Sequence, residues 1–146
     1  MTPLFLLDTN VCVDILRRRV AAGLPLASQC CLSSIVTAEL RFGLAKAEPQ
    51  PDRERKLEDF IRFFPVRDFD DGAARHYGTI RAELEKTGAS IGPLDLLIAA
   101  HARSLGASLV TANIKEFGRV SGLKVTAWRR SLPIAGRSSS EPSGVS

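Results

Sequence analysis

Apolar positions fall in short blocks whose period changes from one block to the next. Leu4-Phe5-Leu6-Leu7 is an unbroken apolar run of strand length, closed by Asp8-Thr9-Asn10, and a helix is predicted from Asn10 to about Arg18. Cys30–Leu32 predicts a second strand, and Ser33 or Ser34 can cap the helix that follows to about Lys46. Pro51 suits the first turn of a third helix, along which Leu57, Phe60, Ile61 and Phe64 recur at helical spacing until Pro65 stops it. Val66–Phe69 predicts a strand, and Asp70 or Asp71 caps a long helix to Thr87 that Gly88 closes. Pro93 opens a further helix ended by Gly106, with strands at Ser108–Thr111 and Lys124–Ala127 after it. Strands that alternate with helices imply βαβ crossovers, hence an α/β fold with a mostly parallel sheet between helices.

A single domain is expected over residues 1–132, with a disordered Ser/Gly/Pro-rich tail over 133–146 that has too little apolar surface to join a core. Neither Gly-x-Gly-x-x-Gly nor Gly-x4-Gly-Lys-Ser/Thr follows a strand, which disfavours nucleotide-cofactor chemistry. No run approaches the ~18 apolar residues of a membrane span, and the N-terminus lacks the features of a secretory signal, so a cytoplasmic protein is expected. Cys12, Cys30 and Cys31 are odd in number, two of them adjacent, and offer no disulfide framework or metal pair. The net charge is +4, with pI near 9.3, which is compatible with an anionic partner such as nucleic acid.

The acids are more informative. Asp8 ends a strand, where an open α/β sheet binds its ligands. Glu39 shares a helix face with Ile35, Val36 and Phe42, where a carboxylate is costly unless paired. A salt bridge to Arg41 or Arg81 would satisfy it, and so would a cation held jointly with other acids. Asp95 lies in the first turn of an apolar helix, a position that stabilises an anion. Asn113 follows a strand as Asp8 does, and Glu116 is close enough in sequence to reach the same place. Oxygen ligands without a His or Cys set select Mg²⁺ or Mn²⁺ over zinc. His76 and His101 lack metal-type spacing, and His101 is expected as a packed or surface helix residue. A carboxylate cluster that holds such a cation suits phosphodiester hydrolysis.

These segments resemble the PIN-domain family and, within it, the VapC toxins of bacterial VapBC toxin–antitoxin pairs. The resemblance runs from about Pro3 to Trp128. It is carried by Leu-Leu-Asp8-Thr-Asn, Ser-Ser-Ile-Val-Thr-Ala-Glu39-Leu-Arg-Phe-Gly, Ile-Arg-Ala-Glu-Leu-Glu-Lys-Thr-Gly, Ile-Gly-Pro-Leu-Asp95-Leu-Leu-Ile-Ala-Ala-His-Ala and Leu-Val-Thr-Ala-Asn113-Ile-Lys-Glu116-Phe. It implies a Rossmann-like three-layer α/β/α fold and a Mg²⁺- or Mn²⁺-dependent endoribonuclease. Asp8, Glu39 and Asp95 match the family's three core acids, with Asp8 and Asp95 as direct ligands and Glu39 completing the site. Thr9 and Thr111 match supporting hydroxyls, Asn113 falls where the family has a fourth acid, and Glu116 could compensate for the missing charge.

The resemblance further implies RNA as substrate, tRNA in particular, with the anticodon loop of initiator tRNA as a candidate. It implies a homodimer, neutralised by a VapB-type antitoxin, and no membrane partner. The Leu57/Phe60/Ile61/Phe64 stripe either packs on the preceding helix or forms a groove for an antitoxin helix. One Trp, one Tyr and seven Phe give few stacking platforms, so RNA recognition would lean on arginine–phosphate contacts. The alternative is a non-catalytic PIN-like module that binds nucleic acid or a partner, for which Asn113 in an acid's place is the one argument.

Overall fold

The computed structural model describes residues 2–17 and 25–128. Five strands, β1 (Phe5–Leu7), β2 (Cys30–Ser33), β3 (Val66–Arg67), β4 (Ser108–Thr111) and β5 (Lys124–Ala127), form one sheet in the order β3-β2-β1-β4-β5. All four pairings are parallel. The helices α1 (Thr9–Leu16), α2 (Ser34–Lys46), α3 (Pro51–Phe63), α4 (Asp71–Thr87), α5 (Pro93–Leu105) and α6 (Ile114–Phe117) connect and flank the strands. The chain builds outward from β1 through β2 to β3, then returns to place β4 on the other side of β1. The order therefore reverses between β1 and β4. That is the switch point at which open α/β sheets bind ligands beyond their strand ends.

Local chemistry explains most boundaries. Asp8 caps α1 through its own carboxylate, Ser33 caps α2, and Asp70 caps α4 by accepting from Ala73 N–H at 3.0 Å. Gly88 and Gly106 close α4 and α5 with φ of 74° and 66°, a left-handed conformation that glycine adopts without strain. The core forms where the apolar strands meet the helix stripes, around Leu6, Leu7, Leu32, Ile98, Leu109 and Phe117. At the far end of β5, the Trp128 indole donates to Asp14 of α1 at 2.9 Å, a buried bond that ties β5 to the first helix.

The elements differ from expectation at a few points. β3 has two residues rather than four, and α1 starts at Thr9. A single 3₁₀ turn at Ala27–Gln29 and the one-turn helix α6 carry no periodicity to predict them. Cys12, Cys30 and Cys31 are buried and unpaired, as small core residues. In the α3 stripe Leu57 and Ile61 are buried and Phe60 and Phe64 half-buried, so most of it packs inward. No helix among the described residues is long and apolar enough to cross a membrane. The domain limit at 132 and the tail over 133–146 lie outside the described residues, as do Arg18 and Arg19.

Candidate metal centre

Parallel register brings the ends of β1 and β4 together, with Leu7 opposite Val110. Asp8 and Thr111 emerge there side by side. Thr111 Oγ1 donates to Asp8 Oδ2 at 2.6 Å, and the same oxygen accepts from Asn10 Nδ2 at 3.0 Å. Asp8 Oδ1 accepts from Thr9 N–H at 2.8 Å. The carboxylate, only 2% exposed, is thus held in one orientation by three donors.

The remaining expected residues join this anchor. Thr9 Oγ1 donates to Glu39 Oε1 at 2.5 Å, which draws α2 to the start of α1. On the other flank, Asn113 N–H donates to Thr111 Oγ1 at 3.0 Å, while Asn113 Nδ2 donates to Glu116 Oε1 at 2.6 Å. Glu116 Oε2 accepts from Gly92 N–H at 3.4 Å, and Gly92 begins the turn into α5 and its Asp95. Asp95 and Glu116 carboxyls share a hydrogen bond, and Asp95 also senses the charges of Asp8 and Glu39. Asp8, Thr9, Glu39, Asp95, Thr111, Asn113 and Glu116, gathered from four segments of the chain, thus form one connected network.

The two alternative ion pairs for Glu39 do not form. Arg41 turns to Glu58 and Arg81 to Glu85, each with its own acid on the surface. Asn10 was not anticipated: it braces Asp8 with its amide N–H and accepts from Ala112 N–H at 3.3 Å, bridging the β1 and β4 ends. Its amide can donate and accept at once, which suits it to this bridge, but the bridge depends on β4 lying beside β1 and left no mark in the local sequence. His101 is buried rather than superficial. Its Nδ1 bonds Ser33 Oγ at 2.8 Å, and its ring meets Phe69 edge-on at 5.5 Å.

The cluster carries more negative charge than its surroundings neutralise. Burial pushes the Asp8 carboxyl above its ordinary value, and the Glu39 charge adds to this against the hydrogen bonds from Thr111, Thr9 and Asn10. Asp95 is pushed up to about 7, first by burial, then by its hydrogen bond with Glu116 and the charges of Asp8, Glu116 and Glu39. Without a cation, Asp95 therefore holds a proton for much of the time near neutral pH.

A hard divalent cation suits this donor chemistry: carboxylate and amide oxygens, mutual repulsion that a cation relieves, and no imidazole or thiolate at hand. Among the described residues, however, no three acidic, histidine or cysteine side chains stand close enough to enclose an ion as they are placed. Glu39 is turned to Thr9, and Glu116 to Asn113 and Gly92. Ion binding must exchange some of these hydrogen bonds for metal–oxygen contacts.

Residues 5–123 match the PIN domain family model. A tRNA(fMet)-specific endonuclease VapC from Shigella flexneri is 38% identical over 128 residues, covering 85% of this chain and 97% of the relative. A ribonuclease VapC2 from Haemophilus influenzae is 40% identical over the same shares of each chain. Among solved structures, DNA-bound VapBC from Salmonella typhimurium superposes with a TM-score of 0.78 at 36% identity, covering 87% of this chain and 99% of that one. VapBC2 from Rickettsia felis, bound to a promoter DNA fragment, gives 0.76 at 36% identity, covering 86% and 99%. With its parallel sheet, its acids at the β1/β4 switch point and relatives matched over nearly their full length, the chain belongs to the PIN-domain family and, within it, to the VapC group.

Proposed function

We propose that this chain is the toxin of a VapBC-type pair, an endoribonuclease that uses Mg²⁺ or Mn²⁺ to hydrolyse phosphodiester bonds in RNA. The observation that carries the reading is the convergence of Asp8, Glu39 and Asp95 at the switch point, with Asp95 raised to about 7 by burial first and then by its acidic neighbours. A bare binding surface gains nothing from a buried carboxylate, Asp8, set among half-buried ones that repel it. Their repulsion is offset when a divalent cation and a phosphate are held there. The Asn113 amide, the one argument for a non-catalytic module, is used to orient Glu116, which restores a carboxylate to that flank.

Asp8 and Asp95 would hold the cation, with Glu39 and Glu116 completing the donor set. When bound, the cation lowers the pKa of water and offsets charge that builds on the phosphate oxygens. The protein's own contribution is orientation and proton handling. Thr111, Thr9 and Asn10 fix Asp8, so the oxygens of this one ligand need little reorganisation. Thr9 fixes one oxygen of Glu39, and the other would help hold or activate the attacking water.

The name of the Shigella relative supports tRNA, and initiator tRNA within it, as the substrate. The VapBC structures support neutralisation by a VapB-type antitoxin, and the family resemblance supports a homodimer. Cleavage of total tRNA by the purified, antitoxin-free protein tests the reading, run with Mg²⁺, with Mn²⁺, with EDTA and as Asp95→Asn. Discrete fragments that vanish with EDTA and in the variant are expected. Intact tRNA under every condition, from folded protein, would oppose it. Asn113→Ala is expected to need several-fold more Mg²⁺ for half-maximal cleavage, because Glu116 loses its orienting partner; an unchanged requirement would remove the amide from the site.

A further inference from the structure

Of the ten arginines among the described residues, seven are committed to partners. Arg41, Arg55, Arg62, Arg75 and Arg81 pair with acids. Arg103 bonds His76 and the Ser121 carbonyl, and Arg119 the Ser90 carbonyl. Arg17, Arg53 and Arg67 have no hydrogen-bond or ion-pair partner among the described residues. Two of these three line the same groove.

That groove, of about 510 Å³, runs between α1, α2 and α3. Thr9 and Glu39 are among its lining residues, so it reaches the acidic centre. Its floor is apolar, with Val13, Leu40, Leu44 and Leu57. Arg17, Arg53 and Lys56 stand along it, all exposed, and Lys56 is likewise without a partner among the described residues. The one acid beside them other than Glu39 is Asp52, which pairs with Arg55. Among the described residues, seven of ten arginines are tied to protein partners, and three cations, Arg17, Arg53 and Lys56, stand open along one path leading from the carboxylates. Such a path fits a polyanion threaded toward the site, which supplies phosphates at intervals and a sugar or base for the apolar floor.

We infer that the RNA strand approaches the carboxylate centre along this groove, with Arg17, Arg53 and Lys56 contacting the phosphates that flank the scissile bond. The inference rests on the ribonuclease reading and adds to it the track by which a long substrate is held. The contacts act on binding, away from the bond that breaks. They therefore lower KM for a long RNA and leave cleavage of a very short one untouched.

The test compares the wild type with the triple variant Arg17→Ala/Arg53→Ala/Lys56→Ala, and with Arg67→Ala, which removes an equally unpaired arginine outside the groove. Binding of tRNA is measured on the Asp95→Asn background between about 50 and 200 mM salt. Each lost phosphate contact should lower the slope of log K against log salt by roughly 0.7, about 2 for the triple variant, and Arg67→Ala should leave it unchanged. In the active background, KM for tRNA should rise roughly tenfold or more in the triple variant, with kcat on a dinucleotide retained. Exposed residues are replaced, so an unchanged melting temperature is expected. An unaltered salt slope, or an equal fall in Arg67→Ala, would overturn the inference. So would intact RNA binding with lost antitoxin neutralisation, which would assign the groove to a protein partner instead. Failure of the wild type to cleave any RNA would sink the ribonuclease reading itself, a result the binding arm does not share.

Discussion

Asp95 shows how a single residue reports on its neighbours. Its carboxyl is raised to about 7 because burial and the charges around it favour the protonated form. The folded protein therefore binds this proton more tightly than the unfolded chain does. The stabilisation is fully present below the ordinary aspartate value and is lost as pH rises through about 7. In EDTA, Asp95→Asn is thus expected to raise the melting temperature, and by more at pH 8 than at pH 5; an equal shift at both would show that the neighbouring charges do not act on it. Thr111 tests the opposite sign. Its hydroxyl serves both Asp8 and the Asn113 N–H, so Thr111→Val strands one buried and one half-buried partner and should cost about 1–3 kcal/mol in denaturant unfolding. A variant as stable as the wild type would mean that Asp8 is held by its other donors alone. Asp8, Glu39 and Asp95 were legible in the sequence because each breaks a local pattern: an acid ending an apolar strand, lying on an apolar helix face, or opening an apolar helix. Asn10 broke no pattern, and its bridge to Ala112 depends on β4 lying beside β1, which no local signal states.

At the level of elements, the site depends on how helix starts are fixed. Ser33 caps α2 by accepting from Ile35 N–H at 3.0 Å, and His101 of α5 bonds the same hydroxyl. Ser34 Oγ, next in sequence, accepts from Phe69 N–H at 3.1 Å, beyond β3. The helix that carries Glu39 is thereby tied to the helix that carries Asp95. Ser33→Ala removes the cap and leaves the buried His101 Nδ1 without this partner, and should cost about 1–2 kcal/mol in equilibrium unfolding. A loss below a few tenths would show that neither bond matters to stability. The longer helices were legible to within a residue or two because proline, glycine and capping side chains mark their ends. The remainder was not, for a physical reason. α6 is a single turn, and β3 has two residues held by pairing with β2, so neither is long enough to show a period. The packed state of the α3 stripe also follows from tertiary placement, since helical spacing alone gives a face and not what covers it.

For the molecule as a whole, the strand order matters most. Alternating strands and helices made a parallel sheet legible, but the order β3-β2-β1-β4-β5, with its reversal beside Asp8, is a long-range outcome that neither local pattern nor the resemblance spelled out. The reversal makes strand-end residues from opposite ends of the chain into neighbours and concentrates acidic charge in a molecule of net +4. That contrast suits a polyanionic substrate held by basic surface around a centre that needs a cation. The most direct test is a titration of the metal-free protein with Mn²⁺ at pH 7.5, the free ion followed by electron paramagnetic resonance. The account predicts at least one bound Mn²⁺ per chain in the wild type, displaced by Mg²⁺ and weakened at least roughly tenfold in both Asp8→Asn and Asp95→Asn, as expected when a ligand is lost. Equal binding by the wild type and both variants, or none by any of them, would contradict it.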